Sequence, residues 1–280
     1  MNNTFNFNRF GKLLAFDGRK YLRNFGLTLA ILCGLNLVLW ILTLIFGFTM
    51  PTMPRYIIIW LAALLGIIMV PAKAFGDINL PREGVRYAML PVSTLEKYLS
   101  YVLFCLLTPL IIVCGSWLVD ALLTLIPIGG FEHYIRHFGF MGVMEDFIVE
   151  MTEMSETEFS GEEIFNESIM KFFGPAYTYA IIVSFVFNVG LFMFGNLLFK
   201  THKTGKTLAC MIGVSYVVSM IMQVILLSEG TSLFLNPENV DIATLGNFTQ
   251  RMFIASNILN TILTVGLYIG LYFKLKTQKY

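Results

Sequence analysis

Charge is scarce in this chain. Asp, Glu, Lys and Arg make up 13% of its 280 residues against 56% that are apolar, whereas a soluble domain carries about 25% charged residues. That excludes an ordinary water-soluble globule. The chain reads as an integral membrane protein, each of whose spanning segments needs roughly 20 apolar residues. Cysteine is limited to Cys33, Cys105, Cys114 and Cys210. All four lie in apolar runs and no pair has metal or redox spacing, so they read as small hydrophobes and imply no disulfide framework. Histidine is equally sparse. His133 and His137 are four apart without the glutamate a zinc hydrolase places between them, and His202 stands alone.

Nucleotide chemistry is missing too. Thr204-Gly205-Lys206-Thr207 contains the GKT that closes a phosphate loop, but Lys200 stands where the first glycine belongs and no strand precedes it. Glu162-Glu163 is followed by Glu167, not by the arginine of a glutamate-type membrane protease. No catalytic set, cofactor site or metal site emerges, and nothing points to nucleic acid. The chain is not expected to be an enzyme; any ATP hydrolysis belongs to another chain.

What is abundant is apolar sequence, in six runs: Phe25 to Phe48, Tyr56 to Phe75, Tyr98 to Ile126, Pro175 to Phe199, Thr207 to Leu227 and Phe253 to Phe273. The first is too long for the core of a cleaved leader, so it is expected to stay as an anchor. Bases segregate between alternate connections. The N-terminal segment holds Arg9, Lys12, Arg19, Lys20 and Arg23; the second connection Lys73, Arg82, Arg86 and Lys97; the fourth Lys200, Lys203 and Lys206; the C-terminal tail Lys274, Lys276 and Lys279. The opposite side keeps only Arg55, Arg136, Lys171 and Arg251. Because bases near membrane ends are retained in the cytoplasm, the expected fold is an all-α integral membrane protein, a single domain over 1–280 with six transmembrane helices and both termini cytoplasmic.

Within residues 1–24 the five bases share one face of a 3.6-residue wheel. Phe7, Phe10, Leu14 and Tyr21 gather opposite, with Phe16 and Asp17 as exceptions, so an interfacial amphipathic helix on anionic membrane lipids is expected. The cytoplasmic loop 76–97 is the most structured-looking connection. Pro81 can open a short helix in which Val85 and Met89, and likewise Arg82 and Arg86, are stacked four apart; Gly84 weakens it and Pro91 ends it. Ser93-Thr94-Leu95-Glu96 then reads as a capping box that starts the third long helix well before its apolar run, and Pro109 sits inside that helix.

The connection 127–174 carries ten acids from Glu132 to Glu167 and two bases. It reads as a solvated outer loop, with Phe147, Met151, Met154, Phe165 and Ile169 at helical spacing. The connection Ser228 to Arg251 reads as short and polar. Amides at Asn36, Asn188, Asn196, Gln223, Asn257 and Asn260 need partners across helices, and Gly266 and Gly270 offer a close-packing face. Asp120 is the only acid in an apolar run, expected near the outer end where it reaches headgroups or water.

Arg82-x-x-x-Arg86 followed by Met89-Leu90-Pro91-Val92-Ser93, with Glu96, Lys97 and Ser100, resembles the cytoplasmic loop of the membrane subunits of ABC-2 type transporters. The segment Phe7 to Arg23 is similar to the interfacial connecting helix of that family. The resemblance implies a permease subunit in a bacterial cytoplasmic or inner membrane, exporting an amphiphilic or lipid-like substrate. It also implies a separate ATP-binding cassette ATPase, docking through Arg82, Arg86, Tyr87, Met89, Leu90, Ser93 and Glu96, and a second permease copy or paralogue as partner. The long acidic connection departs from the family pattern. The alternative reading is a non-transporting membrane sensor, assembly factor or scaffold.

Overall fold

The structure is a computed structural model that describes residues 5–47, 52–79, 81–126, 167–235 and 242–277. Every regular element among them is helical. In chain order they are α1 (Phe7–Cys33), α2 (Leu35–Phe46), α3 (Thr52–Lys73), a 3-10 turn (Gly76–Asn79), α4 (Pro81–Ala88), α5 (Thr94–Leu123), α6 (Glu167–Leu198), α7 (Lys203–Leu235) and α8 (Ile242–Thr277). Among the described residues five helices are long and apolar enough to cross a membrane, and α1 with α2, bent by 40° at Gly34, makes a sixth if the pair is one span. The chain is an all-helical, multi-pass membrane protein. It divides into two compact units, Met1–Thr178 and Tyr179–Lys279.

The first unit is built on α5. Contacts of α1 and α2 with it climb in step: Asn6 with Glu96, Asp17 with Ser100, Tyr21 with Thr108, Asn36 with Asp120. That order makes α1 and α2 parallel to α5. The order reverses for α3, where Phe75 meets Tyr101, Gly66 meets Ile112 and Arg55 meets Asp120, so α3 runs antiparallel. Four polar rungs, at Glu96, Ser100, Thr108 and Asp120 of α5, and two aromatic ones, Tyr21 stacked on Phe104 at 5.4 Å and Phe75 edge-on to Tyr101 at 5.0 Å, thus fix register along a surface that is otherwise apolar. Gly66 allows the closest approach, since a Cβ there would collide with the Ile112 side chain.

Two sequence expectations change. No break separates the N-terminal segment from the first span: α1 is continuous from Phe7, and the break comes at Gly34, inside the predicted run. The buried stripe of α1 is Leu13, Asp17, Tyr21, Phe25 and Leu32, so Asp17, which spoils an apolar wheel, lies in the middle of the protein-facing side. Phe7, predicted to share the apolar face, is exposed. The physical reason is the neighbour: α5 offers Ser100 and Thr108 at this level, and a stripe that faces hydroxyls accommodates an acid where lipid would not.

In the second unit α6 and α8 run parallel. Tyr179 pairs with Thr261 at 2.8 Å, and the Tyr268 hydroxyl donates to the Val186 carbonyl at 3.0 Å. Gly190 is the close-approach point, with Leu267 and Tyr268 where a Cβ would go. The expected Gly266 face is open, with nothing within 4 Å, while Gly270 lies near Phe194. The GKT sequence forms the first turn of α7, and Thr207 fills the space left by Gly195. The connection expected from Ser228 to Arg251 is largely helix, since α7 runs to Leu235 and α8 begins at Ile242. Residues 127–166, with most of the acidic loop, its proposed surface helix, His133 and His137, lie outside the described residues.

Candidate functional site

At the end of the first unit where α1 and α5 begin, one carboxylate ties three stretches of chain together. Pro91 stops α4, and Ser93, in extended backbone, restarts helix as the N-cap of α5. Its hydroxyl accepts from the Glu96 amide at 3.2 Å, and Glu96 Oε2 accepts from the Ser93 amide at 2.8 Å, the capping box that the sequence predicts. Glu96 Oε1 accepts from the Asn6 amide at 2.8 Å and from Arg9 Nη2 at 3.0 Å. Glu96 is fully buried, so its charge is stabilised by these donors and by the positive end of α5, not by water. Nothing in the local sequence announces the Asn6 and Arg9 partners, which come from about 90 residues away.

One turn further in, Asp17 accepts from the Ser100 hydroxyl at 2.6 Å, with the Tyr87 hydroxyl at 3.5 Å. Tyr87 is the inward residue of α4. Its ring has Lys97 Nζ 5.6 Å from its centroid on one side and Lys20 Nζ at 6.0 Å, within cation–π range. Lys97 also donates to the Ala88 carbonyl at 2.9 Å, placing a cation on the C-terminal end of α4, and Lys20 pairs with Asp77 at 3.2 Å. The C-terminal end of the short helix is thereby clamped to α1 and α5.

The predicted coupling residues accordingly divide. Tyr87, Ser93 and Glu96 are buried and position the surface. Arg86 and Met89, the latter 75% exposed, present it, and Leu90 is half-buried beside them. Arg82 is on the first turn of α4, but its side chain lies outside the described residues. The five bases of α1 divide too. Arg9 and Lys20 bind carboxylates of this chain, whereas Lys12, Arg19 and Arg23 are exposed. Arg19, Lys20, Arg23 and Arg86 with Asp77 and Tyr87 line a cleft of about 560 Å³ between α1 and α4.

A second buried ionic group occupies the other end of the unit. Arg55 Nε donates to Asp120 Oδ1 at 3.0 Å and Nη2 to Oδ2, while Asn36 Nδ2 donates to Oδ1 at 3.2 Å. Arg55 and Asp120 are both 0% exposed. This corrects the reading of Asp120 as reaching headgroups or water. In a bilayer a bidentate partner on the neighbouring helix satisfies the carboxylate without solvent. From Glu96 to Asp120 is 24 residues of helix, about 36 Å at 1.5 Å per residue, slightly more than the hydrocarbon thickness of about 30 Å. The two buried ionic groups thus lie about one hydrocarbon thickness apart along α5.

Among the described residues no set of three or more His, Cys, Asp or Glu converges to hold a metal ion. The site is a basic, partly apolar surface fixed by the Arg9–Glu96 and Lys20–Asp77 salt links. Compared with protein-family models, curated proteins and solved structures, the chain matches none.

Proposed function

We propose that the chain is the membrane-spanning permease subunit of an ABC-type exporter of an amphiphilic substrate, with ATP hydrolysis on a separate subunit that docks on α4. The observation that carries this reading is the construction of α4. It is a short helix between two spanning helices, exposing Arg86 and Met89 while Tyr87 and Lys97 tie it to the starts of α1 and α5. A push on α4 by a partner is then passed to two spanning helices through groups that are already locked. The segregation of bases supports six spans with both termini in the cytoplasm and α4 on the cytoplasmic side of a bacterial cytoplasmic membrane. A second copy or paralogue completes the pathway.

The experiment is co-purification. Tagged full-length chain, solubilised in mild detergent, is expected to retain an ATPase with phosphate-loop and signature sequences. Arg82→Lys and Arg86→Lys should each weaken the complex and its stimulated ATP hydrolysis, because an ammonium cannot reproduce a bidentate guanidinium. No stoichiometric ATPase, or values unchanged for both variants, rejects docking on α4. Single cysteines at Ser155 and Thr204, with background cysteines removed, test the orientation: only Ser155 should react with an impermeant thiol reagent in intact cells.

A further inference from the structure

The cleft between α1 and α4 has a chemistry that docking does not use up. Four bases line it, from two helices, against the single acid Asp77 among the described residues. Asp77 is engaged by Lys20. No ion pair is formed by Arg19, Arg23 or Arg86 among the described residues. Three guanidinium groups converge on about 560 Å³ of open space, bordered by the apolar Phe16 and Leu90. Planar guanidinium forks match the oxygens of a phosphate, and three guanidinium groups with no ion-pair partner among the described residues favour an anion.

The sequence of α1 beyond the cleft narrows the anion's class. Arg19, Arg23, Leu27 and Ile31 follow one another at intervals of four, along one inclined ridge of the helix, and all are exposed. Leu27 is 80% and Ile31 58% exposed. The ridge thus changes from guanidinium to aliphatic immediately past the cleft, and Arg23 to Ile31 covers about 12 Å of helix. A ligand that fits both parts carries a phosphate at one end and a hydrocarbon chain at the other.

We infer that this cleft seats the phosphate of an anionic amphiphile, held by Arg19, Arg23 and Arg86, with its acyl chain along Leu27 and Ile31. The site joins α1 to α4, so an occupied cleft bridges the first spanning helix and the docking helix. The inference does not depend on the transport reading, since binding is measured on the isolated chain.

The test uses full-length protein in neutral detergent. The probes are dioctanoyl phosphatidylglycerol, dioctanoyl phosphatidylcholine and inorganic phosphate, with bound ligand counted by native mass spectrometry at high salt to suppress diffuse attraction. One phosphatidylglycerol per chain is expected, with phosphatidylcholine and inorganic phosphate each at least about tenfold weaker. Arg19→Gln and Arg86→Gln should each weaken phosphatidylglycerol about tenfold, the scale of a lost charge-assisted bond. Leu27→Ser should weaken it without affecting inorganic phosphate. Lys12→Gln, on an exposed base outside the cleft, should change nothing. Circular dichroism melts verify folding, and Arg86→Lys, which keeps the charge, should retain part of the affinity. Equal losses for Lys12→Gln and Arg86→Gln overturn the site in favour of summed surface charge. Equal affinity for inorganic phosphate overturns the amphiphile. Arg86→Gln that abolishes ATPase binding but leaves phosphatidylglycerol bound overturns the inference in favour of an acidic protein partner in the cleft.

Discussion

Asp120→Leu is the substitution that separates the buried ion pair from the sequence-level picture of a solvated acid. Removing the carboxylate leaves the Arg55 guanidinium fully buried without its bidentate acceptor, and the Asn36 amide without its partner across the helices. Breaking one side of a buried pair costs about 3–5 kcal/mol, a large part of a total folding stability of about 5–15 kcal/mol. Arg55→Met should cost a similar amount for the mirror reason. The double variant is expected to recover most of the loss, since replacing both charges by apolar groups of similar volume ranges from neutral to about 1–4 kcal/mol stabilising. It keeps one deficit, the buried Asn36 donor, worth about 1–3 kcal/mol. Adding Asn36→Leu should remove that too. Unfolding in mixed micelles can be followed by tryptophan fluorescence, because Trp117 packs on Tyr56 and Ile59 next to Arg55. A change within about 0.5 kcal/mol for Asp120→Leu, the size of an ordinary surface substitution, or a double variant equal to the sum of the singles, would refute the buried pairing.

At the opposite end, Glu96→Ala should free the start of α1, since it strips the acceptor from the Asn6 amide and from Arg9; hydrogen exchange over residues 5–12 should accelerate well beyond that in Ser93→Ala. Ser93→Ala removes one cap and should cost about 0.5–2 kcal/mol in the same unfolding assay. Among glycines, Gly195→Ala should destabilise by about 1–3 kcal/mol, the range for overpacking. The new Cβ would meet Thr207, whose branched side chain is stiff and whose hydroxyl is held on the Lys203 carbonyl at 2.7 Å. Gly266→Ala, in open space on α8, should instead stabilise by about 0.5–1 kcal/mol, and identical melting temperatures for the two would contradict the packing of the second unit.

Sequence alone determined that this is an all-helical membrane protein and which apolar stretches its long helices contain, because hydrocarbon accepts only long apolar segments whose backbone bonds are internal, though not where α1 breaks, α7 ends or α8 begins. It also determined the start of α5, since Pro91, Ser93 and Glu96 act within a few residues of one another and leave the backbone one satisfactory course. What it could not determine were the partners of polar groups far apart in the chain. Asp17 reads as a flaw in an apolar stripe until Ser100 and Tyr87 are beside it. Asp120 reads as solvated until Arg55 and Asn36 are brought to it by helices running in opposite directions. The bases of α1 look alike on a wheel, yet the fold gives Glu96 to Arg9 and Asp77 to Lys20, and leaves Arg19 and Arg23 exposed at the cleft. The reason is that apolar burial is set by composition and period, whereas an ion pair needs two groups within about 4 Å. That proximity comes only from the register in which α1, α3 and α5 pack.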